Sequence, residues 1–501
     1  MLVSVRCPIA IHADAQPEAL ALVTHRHDWT YASLHNAVSR VAERLRSWGI
    51  HGGHRVALRW PRTAANVILI AALARLEAVV APLSSRLPPS GVADACRQIQ
   101  ADALLCQDDA FGQAVAADGR RVCSPQPNWF APPSPPVAPG TAAPQIALRQ
   151  PATLIFTSGS TGRPKAALHT WGHHAASARG SAANLPLAPG DRWLLSLPLY
   201  HVGGLAILVR CVHAGATAVL PAPTDALADV LAARSITHAS LVPTQLRRLL
   251  RATDRAPHSL KGVLLGGAAL PPDLLAAALD AGWPLHATYG CTEMASQIAT
   301  TPPGASRELL LHTAGRALPH VDLRTNADGP AGPHGEMLVR GASLFCGYVD
   351  ETGCHPTRTP DGWYRTGDVG RIDSDGYLHV EGRADRMFIS GGENIHPEEI
   401  EAALHRINTV THAAVVPVRD AEFGQRPVAF VRTTHPLDPE HLKDRLAATL
   451  PRFKVPVRFL PLPDAALSGR MKVDRALLKK QARNLLYASP PPETGPHPDP
   501  A

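Results

Sequence analysis

Residues 154–170 read LIFTSGSTGRPKAALHT: an apolar run, six consecutive hydroxyl or glycine residues, and a lysine three positions further on. The apolar run has the texture of a buried strand. After it, Gly159 and Gly162 let a backbone approach a ligand closely, Thr157, Ser158, Ser160 and Thr161 offer hydroxyl donors, and Lys165 adds positive charge. Such a loop directly after a strand is suited to cradling a polyphosphate. It is not a Walker loop, because Lys165 is followed by Ala166 and the GxxxxGK spacing cannot be fitted. A flexible surface loop is the competing reading, and composition alone leaves both open.

Outward from this stretch, the runs RVALRW, AVVAPL, ADALLC, TLIFTS, RWLLSLP, TAVLP, HASLVP and KGVLLGG alternate with Ala/Leu/Arg-rich segments through the first 300 residues. That alternation predicts α/β layering with largely buried sheets. At 501 residues the chain is too long for one ordinary core, and 45% apolar with 18% charged residues is the composition of a folded protein with a large interior. The segment AANVILIAALARLEAVVAPL from Ala64 is the best membrane candidate, but Arg75, Glu77 and Pro82 make it a buried helix followed by a strand. With Asp14 and Glu18 interrupting the N-terminal segment, no signal peptide is expected and a cytoplasmic protein is.

Eight cysteines without a CxxC pair and 25 scattered histidines predict reduced thiols and no structural metal. A net charge of +7 without a basic block gives nucleic-acid binding no support. Near residue 385 turn-rich strands give way to a compact pattern. In HPEEIEAALHRI, Pro397 suits the first helical position, Glu398 and Glu399 suit the positive end of the dipole, and Ile400, Leu404 and Ile407 share a face. The expected architecture is a large multi-sheet α/β domain over 1–384, a small mobile α+β domain over 385–485, and a disordered proline-rich tail over 486–501. A proline-rich stretch from Pro125 to Gln145 is expected to be an exposed excursion.

Three further segments follow the loop in order: YGCTEMAS (289–296), YRTGDVG (364–370) and GRADRMFISGGENIHPEEIE (382–401). With the loop they resemble the signature motifs of the adenylate-forming superfamily, which comprises acyl-CoA synthetases, luciferases and peptide-synthetase adenylation domains. The resemblance covers roughly residues 8 to 485. Within it, SLPLYHVGGLAILVRCVHAGA (196–216), SLVPTQLRRLL (240–250), LLGGAALP (264–271) and RFKVPVRFLPLP (452–463) are most similar to the o-succinylbenzoate:CoA ligase family of menaquinone biosynthesis.

The resemblance implies two half-reactions, with ATP, Mg²⁺ and coenzyme A as co-substrates and cofactor and a carboxylic acid as substrate. The loop residues Thr157 to Gly162 and Lys165 would hold the β- and γ-phosphates, Thr292 the α-phosphate, and Glu293 the Mg²⁺. Tyr289 would stack on the adenine, with the Gly266, Gly267 and Ala268 backbone on its other face, and Gly290 would belong to the same ATP site. Asp368 would accept from both ribose hydroxyls, with Arg383 reaching the same sugar. A turn-capping role is the bland reading of Asp368, and a surface carboxylate that of Glu293.

The superfamily's C-terminal Gly-Lys-x-x-Arg pattern appears here as SGRMKVDRAL; aligning on Arg475 assigns the catalytic lysine to Lys472, with Gly469 displaced by two residues and Arg470 the competitor. Asp385 matches the hinge, and Ser390, Gly391 and Gly392 the wall of the CoA tunnel. The acid pocket is implied at His201, Gly204, Arg210 and Ser296, with Arg210 facing a second carboxylate. A helix-surface arginine is the alternative for Arg210, and a satisfied histidine that for His201. A ligase for another aryl or fatty acid, a carrier-loading adenylation enzyme and an inactive nucleotide-binding homologue are the other functions considered; intact Glu293, Asp368 and Arg383 argue against the last. No nucleic-acid or membrane partner is expected, and a homo-oligomer is left open.

Overall fold

The computed structural model describes residues 4–116, 121–131, 144–157, 164–268, 270–326, 334–384, 386–390, 393–420, 423–450, 452–467 and 473–487. The chain divides into two compact units, Met1–Val380 and Glu381–Ala501.

Each of the eight apolar runs forms a strand of the first unit. They sort into two large sheets. One has eight strands in the order Gly353–His355, Gly347–Asp350, Lys165–Thr170, Pro151–Thr157, Val79–Leu83, Arg55–Arg59, Ala103–Cys106, Arg121–Cys123. The other has nine, with Leu285–Cys291, Gly262–Leu265, His238–Leu241, Arg192–Leu194, Thr217–Val219 and Leu20–Val23 running parallel through its middle. Strands buried on both faces need continuous apolar runs rather than alternation, which is why these segments stand out in the sequence.

The segment from Ala64 forms the helix Ala64–Arg75 and the strand Val79–Leu83. The helix is apolar all round because it is enclosed: Ile68, Leu69 and Leu73 are fully buried, and it packs on Tyr31–Ser47, whose own apolar face carries Leu34, Val38, Val41 and Leu45. Its one buried polar side chain, Asn66, donates to the carbonyls of Trp60 (3.0 Å) and Pro61 (3.2 Å). In the proline-rich stretch, Phe130 packs edge-on against Trp60 and Trp129 lies under the Arg44 guanidinium, so this part is anchored rather than an excursion. Residues 132–143 lie outside the described residues.

The second unit is a three-stranded sheet between helical layers. The hairpin Val410–Asp420 and Gly424–Thr433 is antiparallel, and Arg458–Pro461 joins it in parallel. Residues alternate between the faces. Ala413 and Val415 pack with Ile400, Leu404, Ile407, Leu442 and Leu446, while Ala414, Val416 and Val418 pack with Leu478 and Ala482. The helix Pro397–His405 begins at the expected proline and buries the expected face. Inside this unit Glu401 accepts two hydrogen bonds from Arg475 Nη2 (2.6 and 2.7 Å) and one from the Val415 backbone N–H (2.7 Å). The helix Arg475–Tyr487 runs two residues past the expected start of the tail, because helix formers continue up to Ala488-Ser489-Pro490.

Candidate active site

The strands Pro151–Thr157 and Lys165–Thr170 are hairpin partners, and their last aligned pair is Thr157 opposite Lys165. Thr157 and Lys165, the site residues on either side of the glycine- and hydroxyl-rich segment, therefore stand side by side at one end of their two strands. Ser158, Gly159, Ser160, Thr161 and Gly162 lie outside the described residues. On its other edge the Lys165–Thr170 strand pairs with Gly347–Asp350, setting Ala167 opposite Tyr348. The Lys165 ammonium lies 5.0 Å from the centre of the Tyr348 ring. Between them opens a cavity of about 390 Å³, walled by Lys165, Tyr348, Arg358, Thr359, Tyr364 and Arg365 among others.

Tyr348 also reaches the other predicted cluster. Its hydroxyl donates to Glu293 Oε1 at 2.5 Å and lies 3.0 Å from the Tyr364 hydroxyl. Glu293 is 9% exposed and sits in the single helical turn Thr292–Met294 that joins Leu285–Cys291 to Ser296–Thr300. A carboxylate held this way, buried and oriented by a phenol, has the hard oxygen that Mg²⁺ prefers. The turn is tight. A Cβ on Gly290 would stand 1.9 Å from the Ser296 carbonyl oxygen, and Ala295 takes a left-handed conformation (φ 52°) that a non-glycine residue rarely adopts.

Tyr289, at the end of the same strand, donates its hydroxyl to Asp368 Oδ2 at 2.6 Å. Burial and the Asp368 charge push its phenol well above the usual tyrosine range. Asp368 owes its position to a bulge: between the pairs Leu338–Arg365 and Glu336–Val369, Met337 alone opposes Thr366, Gly367 and Asp368. The extra residues are tied down by Thr366 Oγ1 donating to the Met337 carbonyl and by the Gly367 N–H donating to Glu336. The RTGD motif is thus a device for turning one carboxylate out of a sheet toward Tyr289. Gly266, Gly267 and Ala268 follow the strand Gly262–Leu265, whose neighbour in the sheet is the Tyr289 strand.

Two of the acid-pocket residues, Arg210 and Ser296, meet at the same hairpin. His201 precedes the helix Val202–Ala214, and Gly204 lies in its first turn, where a Cβ would stand 2.1 Å from the Pro198 carbonyl oxygen. Arg210, on the same helix, is 5% exposed, so it is not a helix-surface arginine. Its Nη2 donates to Gln297 Oε1 (2.8 Å) and Ser296 Oγ (3.3 Å), and its guanidinium carbon is 5.2 Å from the centre of the Trp193 ring. Burial lowers its pKa to about 10, which still leaves it charged near neutrality. No carboxylate pairs with it among the described residues.

Tyr348, Tyr364 as a partner of Tyr348, and Gln297 are contributors that the sequence reading did not assign. Tyr364 lies within YRTGDVG, but nothing local to Tyr348 or Gln297 marks either as a neighbour of Glu293 or Arg210. In the second unit, Arg383 ends the strand Leu378–Arg383 and Ser390, 2% exposed, ends the strand Phe388–Ser390. Asp385, Gly391, Gly392 and Lys472, with its competitor Arg470, lie outside the described residues.

Comparison with known proteins adds independent findings. The AMP-binding enzyme family matches residues 9–349, and the AMP-binding enzyme C-terminal domain matches residues 399–468. A 2-succinylbenzoate–CoA ligase of Bacillus licheniformis is 35% identical over 453 residues, which is 89% of this chain and 94% of the relative. The protein of that name from Bacillus subtilis (strain 168) is 31% identical over 481 residues, 93% and 96% of the two chains. Among solved structures, o-succinylbenzoate CoA synthetase (MenE) from Bacillus subtilis in complex with the acyl-adenylate intermediate OSB-AMP aligns with a TM-score of 0.84 at 30% identity, covering 94% of this chain and all of that one. The same protein in complex with ATP and magnesium ion aligns with a TM-score of 0.83, also at 30% identity, covering 92% and 96%.

Proposed function

The chain belongs to the AMP-binding enzyme family, and from that premise we propose that it is an AMP-forming acid:CoA ligase of menaquinone biosynthesis. It converts o-succinylbenzoate, ATP and CoA to o-succinylbenzoyl-CoA, AMP and diphosphate through an acyl-adenylate. We take it to act in the cytoplasm, where ATP and CoA are supplied. The observation that carries the choice of acid is Arg210: a buried guanidinium whose hydrogen-bond partners among the described residues, Gln297 and Ser296, are neutral and belong to the strand that follows the Glu293 turn. Burying such a charge is costly unless something completes it. A second carboxylate on the substrate does so.

In the first half-reaction the succinyl carboxylate attacks the α-phosphorus and diphosphate leaves. Negative charge meets negative charge, so catalysis is chiefly orientation and placed positive charge. Lys165, Thr157 and the loop between them receive the β- and γ-phosphates, and Arg358 in the wall of the adjoining cavity extends that field, while the Arg365 charge is taken up by its ion pair with Glu336. Thr292 meets the α-phosphate. Glu293, oriented by Tyr348, holds Mg²⁺, which when bound neutralises phosphate charge. Asp368 receives the ribose hydroxyls with Arg383, and Tyr289 stands against the adenine opposite Gly266, Gly267 and Ala268. Gly290 leaves room for the close backbone turn beside it. Arg210, helped by Ser296, fixes the aromatic carboxylate, while His201 and Gly204 border the acid's entry.

Lys472 supplies the cation between the attacking carboxylate and the α-phosphate; its assignment rests on the resemblance of KVDRAL to the superfamily's closing motif. Rotation of the second unit about Asp385 then exchanges Lys472 for Ser390, Gly391 and Gly392, which line the path of the CoA thiol. A Lys472→Ala variant should lose adenylation by on the order of 10²–10³-fold yet still transfer a preformed acyl-adenylate to CoA. Single-turnover assays of the two halves test this, and equal losses in both would move the role elsewhere.

The function itself is tested by thioester formation with ATP, Mg²⁺ and CoA, comparing o-succinylbenzoate with benzoate, a cinnamate, succinate and a medium-chain fatty acid. Thioester from o-succinylbenzoate alone is the expected result. Turnover of a monocarboxylate with o-succinylbenzoate ignored would discard both the acid and the role of Arg210.

A further inference from the structure

Gln297 is 4% exposed and belongs to the strand Ser296–Thr300, directly after the turn that carries Glu293. A primary amide has two ends of nearly equal shape, and here the surroundings decide between them. Thr288 Oγ1 donates to the Ala299 carbonyl at 2.9 Å, which leaves it an acceptor toward Gln297. Gln297 Nε2 donates to Thr300 Oγ1 at 2.8 Å and to Thr288 Oγ1 at 3.3 Å. Reversing the amide would turn its NH₂ against the Arg210 guanidinium, donor against donor. The network therefore fixes a neutral carbonyl oxygen 2.8 Å from Arg210 Nη2.

Trp193 completes the clamp from another side. Its ring faces the guanidinium, and its own Nε1 is held by donation to Ser240 Oγ at 3.1 Å. Arg210 Nε has no hydrogen-bond partner among the described residues. The guanidinium is thus gripped by an oxygen dipole and a π face, neither of which cancels its charge. A glutamate at 297 would make the same contact with a full negative charge and close the ion pair internally, leaving nothing for a substrate anion.

We propose that Gln297 is a positioning and specificity-determining residue: its fixed amide orients Arg210 while keeping the pocket cationic, and so selects an acid carrying a second carboxylate. This rests on the reading of Arg210 given above. It adds that the neutrality of residue 297, and not the arginine alone, sets the choice between dicarboxylate and monocarboxylate acids.

The test compares o-succinylbenzoate with 4-oxo-4-phenylbutanoate, which lacks only the ring carboxylate, in wild type, Gln297→Glu and the near-isosteric Gln297→Met. For Gln297→Glu the ratio of kcat/KM between the two acids should fall by about 100-fold, through KM for o-succinylbenzoate, with KM for ATP held. For Gln297→Met, which removes one hydrogen bond to a charged group but keeps the charge, the fall should be about 10-fold. KM for ATP serves as the internal control, because the hairpin also carries Tyr289, Thr292 and Glu293. A ratio unchanged within twofold in either variant, or KM for ATP rising in step with KM for the acid, overturns the proposal. Wild-type enzyme that ignores o-succinylbenzoate altogether would instead overturn the function on which it rests.

Discussion

Glu293→Gln is expected to lower acyl-adenylate formation by on the order of 10²–10³-fold, comparable to the cost of removing one preorganised electrostatic group from a reacting centre. The geometry makes the loss specific. Glu293 is buried, its Oε1 accepts from Tyr348 at 2.5 Å, and Tyr348 is steadied by Tyr364 at 3.0 Å, so a carboxamide of the same shape keeps the packing and loses the charge. Tyr348→Phe should leave the carboxylate in place but unoriented, weakening Mg²⁺ affinity by about 10- to 100-fold, as for other residues that orient a metal ligand. ATP–diphosphate exchange against Mg²⁺ concentration separates the two. The Tyr348 variant should recover at high Mg²⁺ and the Glu293 variant should not. An unaltered Mg²⁺ dependence in both would remove Glu293 from the metal site.

Arg475→Met should destabilise the second unit by about 3–5 kcal/mol, the cost of leaving one partner of a buried ion pair uncompensated. Glu401 has 13% and Arg475 19% side-chain exposure, and the carboxylate accepts three hydrogen bonds among the described residues. Burial raises the Glu401 pKa despite the attraction of Arg475. Without the arginine it rises further, so the neutral acid becomes the form that folds. The sign follows from linkage: a pKa raised on folding gives stability that is fully present below the unfolded value of 4.5 and is lost as pH rises through the folded value. The variant should therefore be hurt more at pH 8 than at pH 5. Glu401→Leu with Arg475→Met should regain most of the loss. Urea unfolding of the intact chain, with hydrogen exchange read over residues 410–433, checks this; a pH-independent loss would argue against a buried carboxylate as its cause.

The same pair shows what the sequence could not reveal. Arg475 anchored the alignment that assigned Lys472, yet its bond to Glu401 spans 74 residues and no local pattern announces it. Residues whose environment is set by their own strand or helix were legible: the eight apolar runs became strands, Pro397 opened its helix, and Ile400, Leu404 and Ile407 turned inward. Arg210 carried two readings because an apolar helix can bury or expose one arginine, and only the packing of Trp193 and Gln297 around it decided. Tyr348 was silent because its meaning comes from Glu293, 55 residues earlier, and from a strand register that no spacing encodes.

That register bears on synthesis. The strand Lys165–Thr170 receives its outer neighbour, Gly347–Asp350, from chain made some 177 residues later. At roughly 5–20 residues per second the ribosome needs on the order of 10–35 s to deliver it. Until then a nascent chain carries an apolar strand with one row of backbone donors and acceptors unpaired, which is the kind of edge that recruits other strands. Truncations ending before Gly347 should be chaperone clients or aggregates, and an expression campaign that trims the chain from its C-terminal side should cut no further back than Val380, where the first unit ends.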